Sequence, residues 1–305
     1  MSKTACVFPG QGSQSVGMLK DLAEQFTVVA DTFTEASEAL GYDLWKVVQN
    51  DDGTQLNQTQ ITQPALLTAS VAAYKVLTSE KDISPAFLAG HSLGEYSALT
   101  CAGVFSLQDA VKLVRARGEF MQQAVPAGTG AMYAIIGLDD SRIIEICEQV
   151  SQEMGQVVAA VNFNSPGQVV IAGQSDATDK AGALCKEAGA KRALPLAVSV
   201  PSHCALMKPA AEKLELLFND ISLNQPLISV VNNVDVSVET DTDKIKDALL
   251  RQLYLPVRWT ESVLYLSEQG VTDIIEVGPG KVLTGLNKRI NKSLVLSSFS
   301  QPSDL

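Results

Sequence analysis

No stretch of this 305-residue sequence reaches the roughly 18 consecutive apolar residues that a membrane-spanning helix needs. The first apolar run stops at Phe8-Pro9 and is too short for a secretory signal, so a cytoplasmic location is expected. Cysteine is sparse. Cys6, Cys101, Cys147, Cys185 and Cys204 are scattered, odd in number and free of CxxC spacing, which argues for a reducing compartment and against a disulfide framework or a zinc site. Positive charge is short as well: 23 Lys and Arg stand against 34 Asp and Glu, a net charge of −11. That balance excludes the basic footprint of a nucleic-acid binder. An acidic partner would have to dock on a local basic grouping, of which Lys191 with Arg192, and Lys281 with Lys288 and Arg289, are the densest. Histidine is scarce too, with two in the chain. Internal repeats and low-complexity segments are absent.

What remains is 46% apolar and 19% charged, the balance of a globular chain with a substantial core. Thr4 to Phe8 reads as a strand running into the turn Pro9-Gly10-Gln11-Gly12, the opening unit of many α/β folds. Helical patterns follow at about Met18–Leu40, Gln63–Leu77, Leu93–Ala102 and Asp109–Ala124, with a short buried strand at Ala86–Gly90. The stretch from Gly130 to Val198 then alternates differently. Strands at Gly130–Leu138, Val157–Phe163, Gln168–Ala172 and Lys191–Val198 enclose helices at Ser141–Glu153 and Asp176–Ala188, with a turn at Asn164-Ser165-Pro166-Gly167. The order βαββαβ is the ferredoxin-like arrangement. Afterwards α/β alternation resumes, with a helix at Ala205–Phe218 and strands near Ile228–Asn232, Asp273–Val277 and Leu294–Leu296. The expected fold is therefore α/β: a large α/β-hydrolase-like domain with a short parallel sheet (residues 1–127 and 199–305), carrying an inserted ferredoxin-like α+β subdomain (residues 128–198).

Gly90-His91-Ser92-Leu93-Gly94 fits the pattern GxSxG. The letters alone arise by chance, but here a strand precedes them and a helix follows. In that setting a serine sits on a tight turn with its hydroxyl exposed, and the helix N-terminus favours developing negative charge. A serine hydroxyl is a poor nucleophile until a base removes its proton, and histidine is the usual base. His91 adjoins Ser92 on a sharp turn and is expected to point away from it. His203, in Val200-Pro201-Ser202-His203-Cys204, is left as the partner. Cys204 has no activating charge nearby in sequence and reads as a small buried hydrophobe.

Pro9-Gly10-Gln11-Gly12-Ser13-Gln14, Gly90-His91-Ser92-Leu93-Gly94-Glu95 and Pro201-Ser202-His203 together resemble the malonyl-CoA:acyl carrier protein transacylase family of bacterial type II fatty acid synthesis. The resemblance continues through Asn162-Phe163-Asn164-Ser165-Pro166-Gly167, Arg251-Gln252-Leu253-Tyr254 and Glu276-Val277-Gly278-Pro279-Gly280-Lys281. It implies a ping-pong acyltransferase with malonyl-CoA and holo acyl carrier protein as partners, and no metal or bound cofactor. It further implies Ser92 as nucleophile, His203 as base, the Gln11 and Leu93 backbone N–H groups as oxyanion hole, and Arg117 as the grip on the malonyl carboxylate. Spacing alone does not separate Arg117 from Arg115. Gln252 matches the position whose backbone carbonyl orients the family's histidine, and Gln63, Asn162 and Gln168 are further possible cleft contacts.

Three other readings compete. A serine hydrolase of the α/β-hydrolase type shares GxSxG but carries its histidine late in the chain, with an acid between serine and histidine. A dinucleotide-binding protein is suggested by Gly10-Gln11-Gly12-Ser13-Gln14-Ser15, but the third glycine of GxGxxG is missing, and Gly278-Pro279-Gly280-Lys281 lacks P-loop spacing. A related transferase could carry acetyl or methylmalonyl instead; an arginine clamp speaks against acetyl and only weakly against methylmalonyl.

Overall fold

The computed structural model describes residues 3–50, 54–126, 128–197 and 200–305. Among these residues the strands are β1 (Thr4–Phe8), β2 (Phe87–Gly90), β3 (Gly130–Ile136), β4 (Val158–Ser165), β5 (Gln168–Gln174), β6 (Arg192–Pro195), β7 (Ser229–Val231), β8 (Asp273–Val277) and β9 (Val295–Phe299). Five of them form one parallel sheet in the order β7-β2-β1-β8-β9. β1 lies at its centre. Its Ala5, Cys6, Val7 and Phe8 are fully buried, the near-continuous apolar run expected of a parallel strand covered on both faces. One face packs under the helices Thr27–Leu40, Thr59–Glu80 and Leu107–Gln123. The other packs under Trp259–Glu268 and Val282–Ile290.

The remaining strands form an antiparallel sheet in the order β4-β5-β3-β6. Helices Asp140–Met154 and Ser175–Glu187 cover one face through Ile143, Ile146, Val150, Ala177 and Ala181. On the other face Met132, Val161, Val170 and Ala172 pack against Cys204, which lies beside His203. Val257 donates to the Val161 carbonyl at 2.8 Å, and Phe163 donates to the Val257 carbonyl at 3.0 Å, so β4 is stitched directly to the larger part. The antiparallel sheet is thereby held over the C-terminal ends of β1 and β2.

Several sequence expectations need correction. Met18–Leu40 is two helices, Lys20–Gln25 and Thr27–Leu40, because Phe26 is extended (φ −126°, ψ 106°) and turns its ring onto the core. The helix Leu44–Asn50 went unread: it buries only Leu44 and Val48, too short a pattern to show periodicity. The helix placed at Gln63 starts at Thr59 and contains Pro64. The turn after β4 is narrower than Asn164–Gly167; β4 runs to Ser165, leaving Pro166 and Gly167 (φ 69°) to reverse the chain. The sixth strand is Arg192–Pro195; Val198, where it was expected to end, lies outside the described residues, as do the expected domain edges 127, 198 and 199. Ala205–Phe218 opens as a 3-10 turn, Ala205–Met207, before the α-helix Lys208–Phe218, since Pro209 has no N–H for the Ala205 carbonyl.

Candidate active site

β2 ends at Gly90 and the helix Leu93–Cys101 begins three residues later, so His91 and Ser92 make the whole turn. Ser92 takes φ 52°, ψ −107°, a strained conformation for a residue with a side chain. Two glycines permit it. A Cβ on Gly90 would stand 1.9 Å from the Gly94 backbone carbon, and one on Gly94 would stand 2.1 Å from the Phe8 carbonyl oxygen. The strain is held from outside by Asn233, whose Oδ1 accepts from the Ser92 N–H at 2.8 Å and whose Nδ2 donates to the Gly90 carbonyl at 2.7 Å.

The Ser92 hydroxyl lies 2.8 Å from His203 Nε2. His203 itself has φ 64°. Its N–H donates to the Leu253 carbonyl at 2.9 Å, and its Nδ1 lies 2.6 Å from the Gln252 carbonyl oxygen. A carbonyl only accepts, so Nδ1 carries the proton and Nε2 is left as the acceptor facing Ser92. Burial, and the Arg117 charge after it, push the His203 imidazole down to about 3 against the pull of the Gln252 carbonyl. The ring is therefore neutral at ordinary pH. His91, as expected, points elsewhere: its Nε2 pairs with Asn164 Oδ1 at 2.7 Å and its ring tilts against Trp259.

Arg117 is 1% exposed. It comes from the helix Leu107–Gln123, one of whose faces closes on Thr59 and Gln60 through Gly118. Its Nη1 donates to Gln63 Oε1 at 2.8 Å, and its Nη2 to Gln252 Oε1 at 3.1 Å and to the Ser92 hydroxyl at 3.3 Å. The guanidinium lies over the Tyr96 ring, and its buried Nε has no hydrogen-bond partner among the described residues. Among the described residues it makes no ion pair within 4 Å. The oxygens it bonds are all neutral, and the nearest buried carboxyl, Glu95, acts on it without direct contact, so an incoming carboxylate could still pair with it. Arg115, by contrast, pairs with Glu119 on the surface.

A cavity of about 530 Å³ opens over these groups. Ser92, His203 and Arg117 lie on its floor side, with Gln11, Leu93 and Asn162 also lining it; Met132 and Val170 of the antiparallel sheet complete the wall. Asn162 Oδ1 is buried and has no hydrogen-bond partner among the described residues. Gln63 and Gln252 sit behind the wall, bonded to Arg117. Gln168 stands apart from the lining, its Oε1 taken by Arg289 Nη1. Cys204 is buried and its thiol is pushed up to about 11 by burial, so it is no thiolate nucleophile.

Two residues of the site were not read from the sequence. Glu95, one turn beyond Ser92, lies 2% exposed, with its Oε2 accepting from the Asn233 N–H at 3.0 Å and from Gln252 Nε2 at 2.7 Å. Asn233 follows β7 at the C-terminal end of the parallel sheet, where ligand-binding loops of α/β folds converge; that position was the available signal. Among the described residues no group of three or more His, Cys, Asp or Glu could hold a metal, and no helix is long and apolar enough to cross a membrane.

A serine on a strained strand-to-helix turn, a neutral histidine on its hydroxyl and a buried cation beside both suit acyl transfer, and the chain belongs to the acyl transferase domain family, which matches residues 5–297. Its relatives narrow this further. The malonyl CoA-acyl carrier protein transacylase of Escherichia coli K12 is 62% identical over 303 residues, 99% of this chain and 97% of that one. The structure of an acyl carrier protein S-malonyltransferase from Vibrio cholerae superposes with a TM-score of 0.97 at 64% identity, covering 99% and 98% of the two chains. A malonyl-transacylase solved in complex with a type II polyketide acyl-carrier protein superposes equally well, with a TM-score of 0.97 at 58% identity over 99% and 97%. The family resemblance carried by the sequence motifs is borne out.

Proposed function

We propose that this protein is a malonyl-CoA:acyl carrier protein transacylase, moving malonyl groups from coenzyme A to the phosphopantetheine thiol of the carrier protein through an ester on Ser92. The observation that carries the reading is the pairing of Ser92 with His203 at 2.8 Å beside a buried Arg117 that makes no ion pair within 4 Å among the described residues.

In the first half-reaction the Ser92 hydroxyl attacks the thioester carbonyl carbon while its proton passes to His203 Nε2. The carbonyl oxygen gathers charge and is met by the Gln11 and Leu93 backbone N–H groups, both on the cavity lining. The C–S bond breaks, and the leaving sulfur takes the proton from Nε2. In the second half the carrier protein's thiol gives its proton to Nε2, its sulfur attacks the malonyl ester, and the C–O bond breaks with return of the proton to Ser92. Arg117 holds the malonyl carboxylate through both halves, which keeps the acyl carbonyl at the serine and penalises an acetyl group that leaves the guanidinium unpaired. Transfer competes with hydrolysis, so the walls of Met132 and Val170 serve to keep water from the ester.

The larger unit, residues 1–127 and 199–305, reads as hydrolase-like, with its serine at a strand-to-helix turn of a parallel sheet. It departs from a hydrolase in orienting its histidine by the Gln252 carbonyl rather than a carboxylate. The unit 128–198 reads as a ferredoxin-like insertion, supported by its βαββαβ order and antiparallel sheet. Five unpaired cysteines support a reducing, cytoplasmic setting.

Intact mass spectrometry after brief mixing with malonyl-CoA tests the reading. A malonyl-sized adduct mapped to Ser92 and discharged by a phosphopantetheine thiol is expected; release of free malonate with no transfer to the thiol would make the protein a hydrolase.

A further inference from the structure

We infer that Glu95 is a positioning residue for the transfer, holding Ser92, His203 and Arg117 in register through the side chains of Gln252 and Asn233. The inference rests on the acyl-transfer reading above and deepens it.

Glu95 is an unusual choice for its place. Its carboxyl is 2% exposed, and among the described residues it has no ion pair within 4 Å. Taking a carboxylate out of water to such a place costs stability unless its neighbours compensate. What the carboxyl does have is two N–H donors on one oxygen, each leading to a different part of the site.

The first is Gln252 Nε2, at 2.7 Å. The same nitrogen donates to the Ser92 carbonyl at 3.0 Å, so both of its hydrogens are committed. A side-chain amide can be turned over at little cost unless its neighbours discriminate between its ends. Here the carboxylate oxygen and the Ser92 carbonyl demand the NH2 end, which leaves Oε1 to face Arg117 Nη2 at 3.1 Å. Turned over, the amide would set NH2 against the guanidinium and an oxygen against the carboxylate. Gln252 is also the residue whose backbone carbonyl receives the His203 Nδ1–H. Anchoring its side chain anchors that carbonyl.

The second donor is the Asn233 backbone N–H, at 3.0 Å. The Asn233 side chain in turn accepts the Ser92 N–H and donates to the Gly90 carbonyl, holding the strained turn from both sides. One oxygen atom thus ties the serine turn, the histidine's acceptor and the arginine's acceptor together. Protonation of the carboxyl does not break the tie, because the carbonyl oxygen of the acid still accepts both bonds.

The test measures the single-turnover rate of malonyl loading on Ser92, by quench and intact mass, with Glu95→Leu and Glu95→Gln beside the wild type. Glu95→Leu keeps the volume and removes the acceptor of two buried N–H donors; loading is expected to fall about a hundredfold, and the melting temperature is expected to fall as well. Glu95→Gln can offer its amide oxygen to both donors and is expected to load within about fivefold of wild type. All variants are assayed well below their melting temperatures, where a residue that only supported the fold would leave the loading rate of the folded protein unchanged, and this one is expected to slow it. If Glu95→Leu does not fold, Gln252→Met removes the side-chain amide, leaves the backbone carbonyl, and is expected to show the same slow loading. A folded Glu95→Leu at the wild-type rate, Glu95→Gln as slow as Glu95→Leu, or Gln252→Met at the wild-type rate overturns the inference. Failure of the wild type to load at all would instead overturn the acyl-transfer reading.

Discussion

His203 Nδ1 stands 2.6 Å from the carbonyl oxygen of Gln252, so the imidazole is oriented by a neutral acceptor where many serine enzymes use a carboxylate. A carboxylate would stabilise the protonated ring; a carbonyl does so less. With burial and the Arg117 charge acting the other way, His203 is held down to about 3, far below the ordinary histidine value.

The first expectation follows from that direction. A lowered value keeps the base form populated as pH falls, so loading should stay flat through pH 6.5, where an unperturbed histidine would already be half protonated. Single-turnover loading measured from pH 8 to about 5.5 checks this. A half-loss centred near 6.5 would show that the imidazole is not held neutral as its surroundings indicate.

Arg117→Ala should cut malonyl kcat/KM by about a hundredfold, about 2.7 kcal/mol, because the substrate carboxylate would enter a buried site without its cation. Acetyl transfer should fall much less. The comparison uses both acyl-CoA donors with the same thiol acceptor. Since Arg117 also touches the Ser92 hydroxyl at 3.3 Å, some common loss is expected; an equal loss for both acyl groups would remove the carboxylate role.

How far the site was legible in the sequence follows from what each part depends on. Ser92 stood out because a turn this tight needs glycine at both 90 and 94, and those glycines leave a pattern in the letters. His203 could be reached by elimination because the chain has one other histidine. Arg117 was not separated from Arg115 because an arginine is not expected on a core face: the two lie about 200° apart on one helix, and Arg117 falls on the stripe buried with Val114, Gly118 and Met121. Glu95 and Asn233 were passed over for a different reason: their roles lie in hydrogen bonds spanning more than a hundred residues of chain, which no local pattern encodes. The α/β alternation and the βαββαβ unit were readable from apolar runs, whereas the break at Phe26 and the short helix Leu44–Asn50 are settled by tertiary packing.

Gly90→Ala tests the strained turn. The new Cβ would meet the Gly94 backbone carbon at 1.9 Å, and no flexible side chain is present there to yield. Separation of β2 from the following helix is the only relief, which should cost about 3 kcal/mol or more and displace Ser92 from His203. Denaturant unfolding reads the first effect and malonyl loading the second. A variant as stable as the wild type and fully active would show that the turn accommodates a side chain after all.

Glu95 also makes a prediction about stability that is independent of catalysis. Burial raises its carboxyl from 4.5 to about 7, against the lowering pull of Gln252, Asn233 and Arg117. The folded protein therefore holds this proton more tightly than the unfolded chain, and the stability that the protonated acid contributes is complete below pH 4.5 and lost as pH rises through about 7. Glu95→Gln carries no such group, so its unfolding free energy relative to wild type should grow between pH 4.5 and 7, by up to about 3 kcal/mol. His203, whose lowered value works in the opposite direction between about 3 and 6.5, is present in both proteins and drops out of the difference. Urea unfolding of the two proteins at both pH values measures the gap. A gap that stays constant, or closes as pH rises, would mean that Glu95 is already ionised in the folded protein throughout this range, and that its two N–H donors and the nearby guanidinium outweigh the cost of burying its charge.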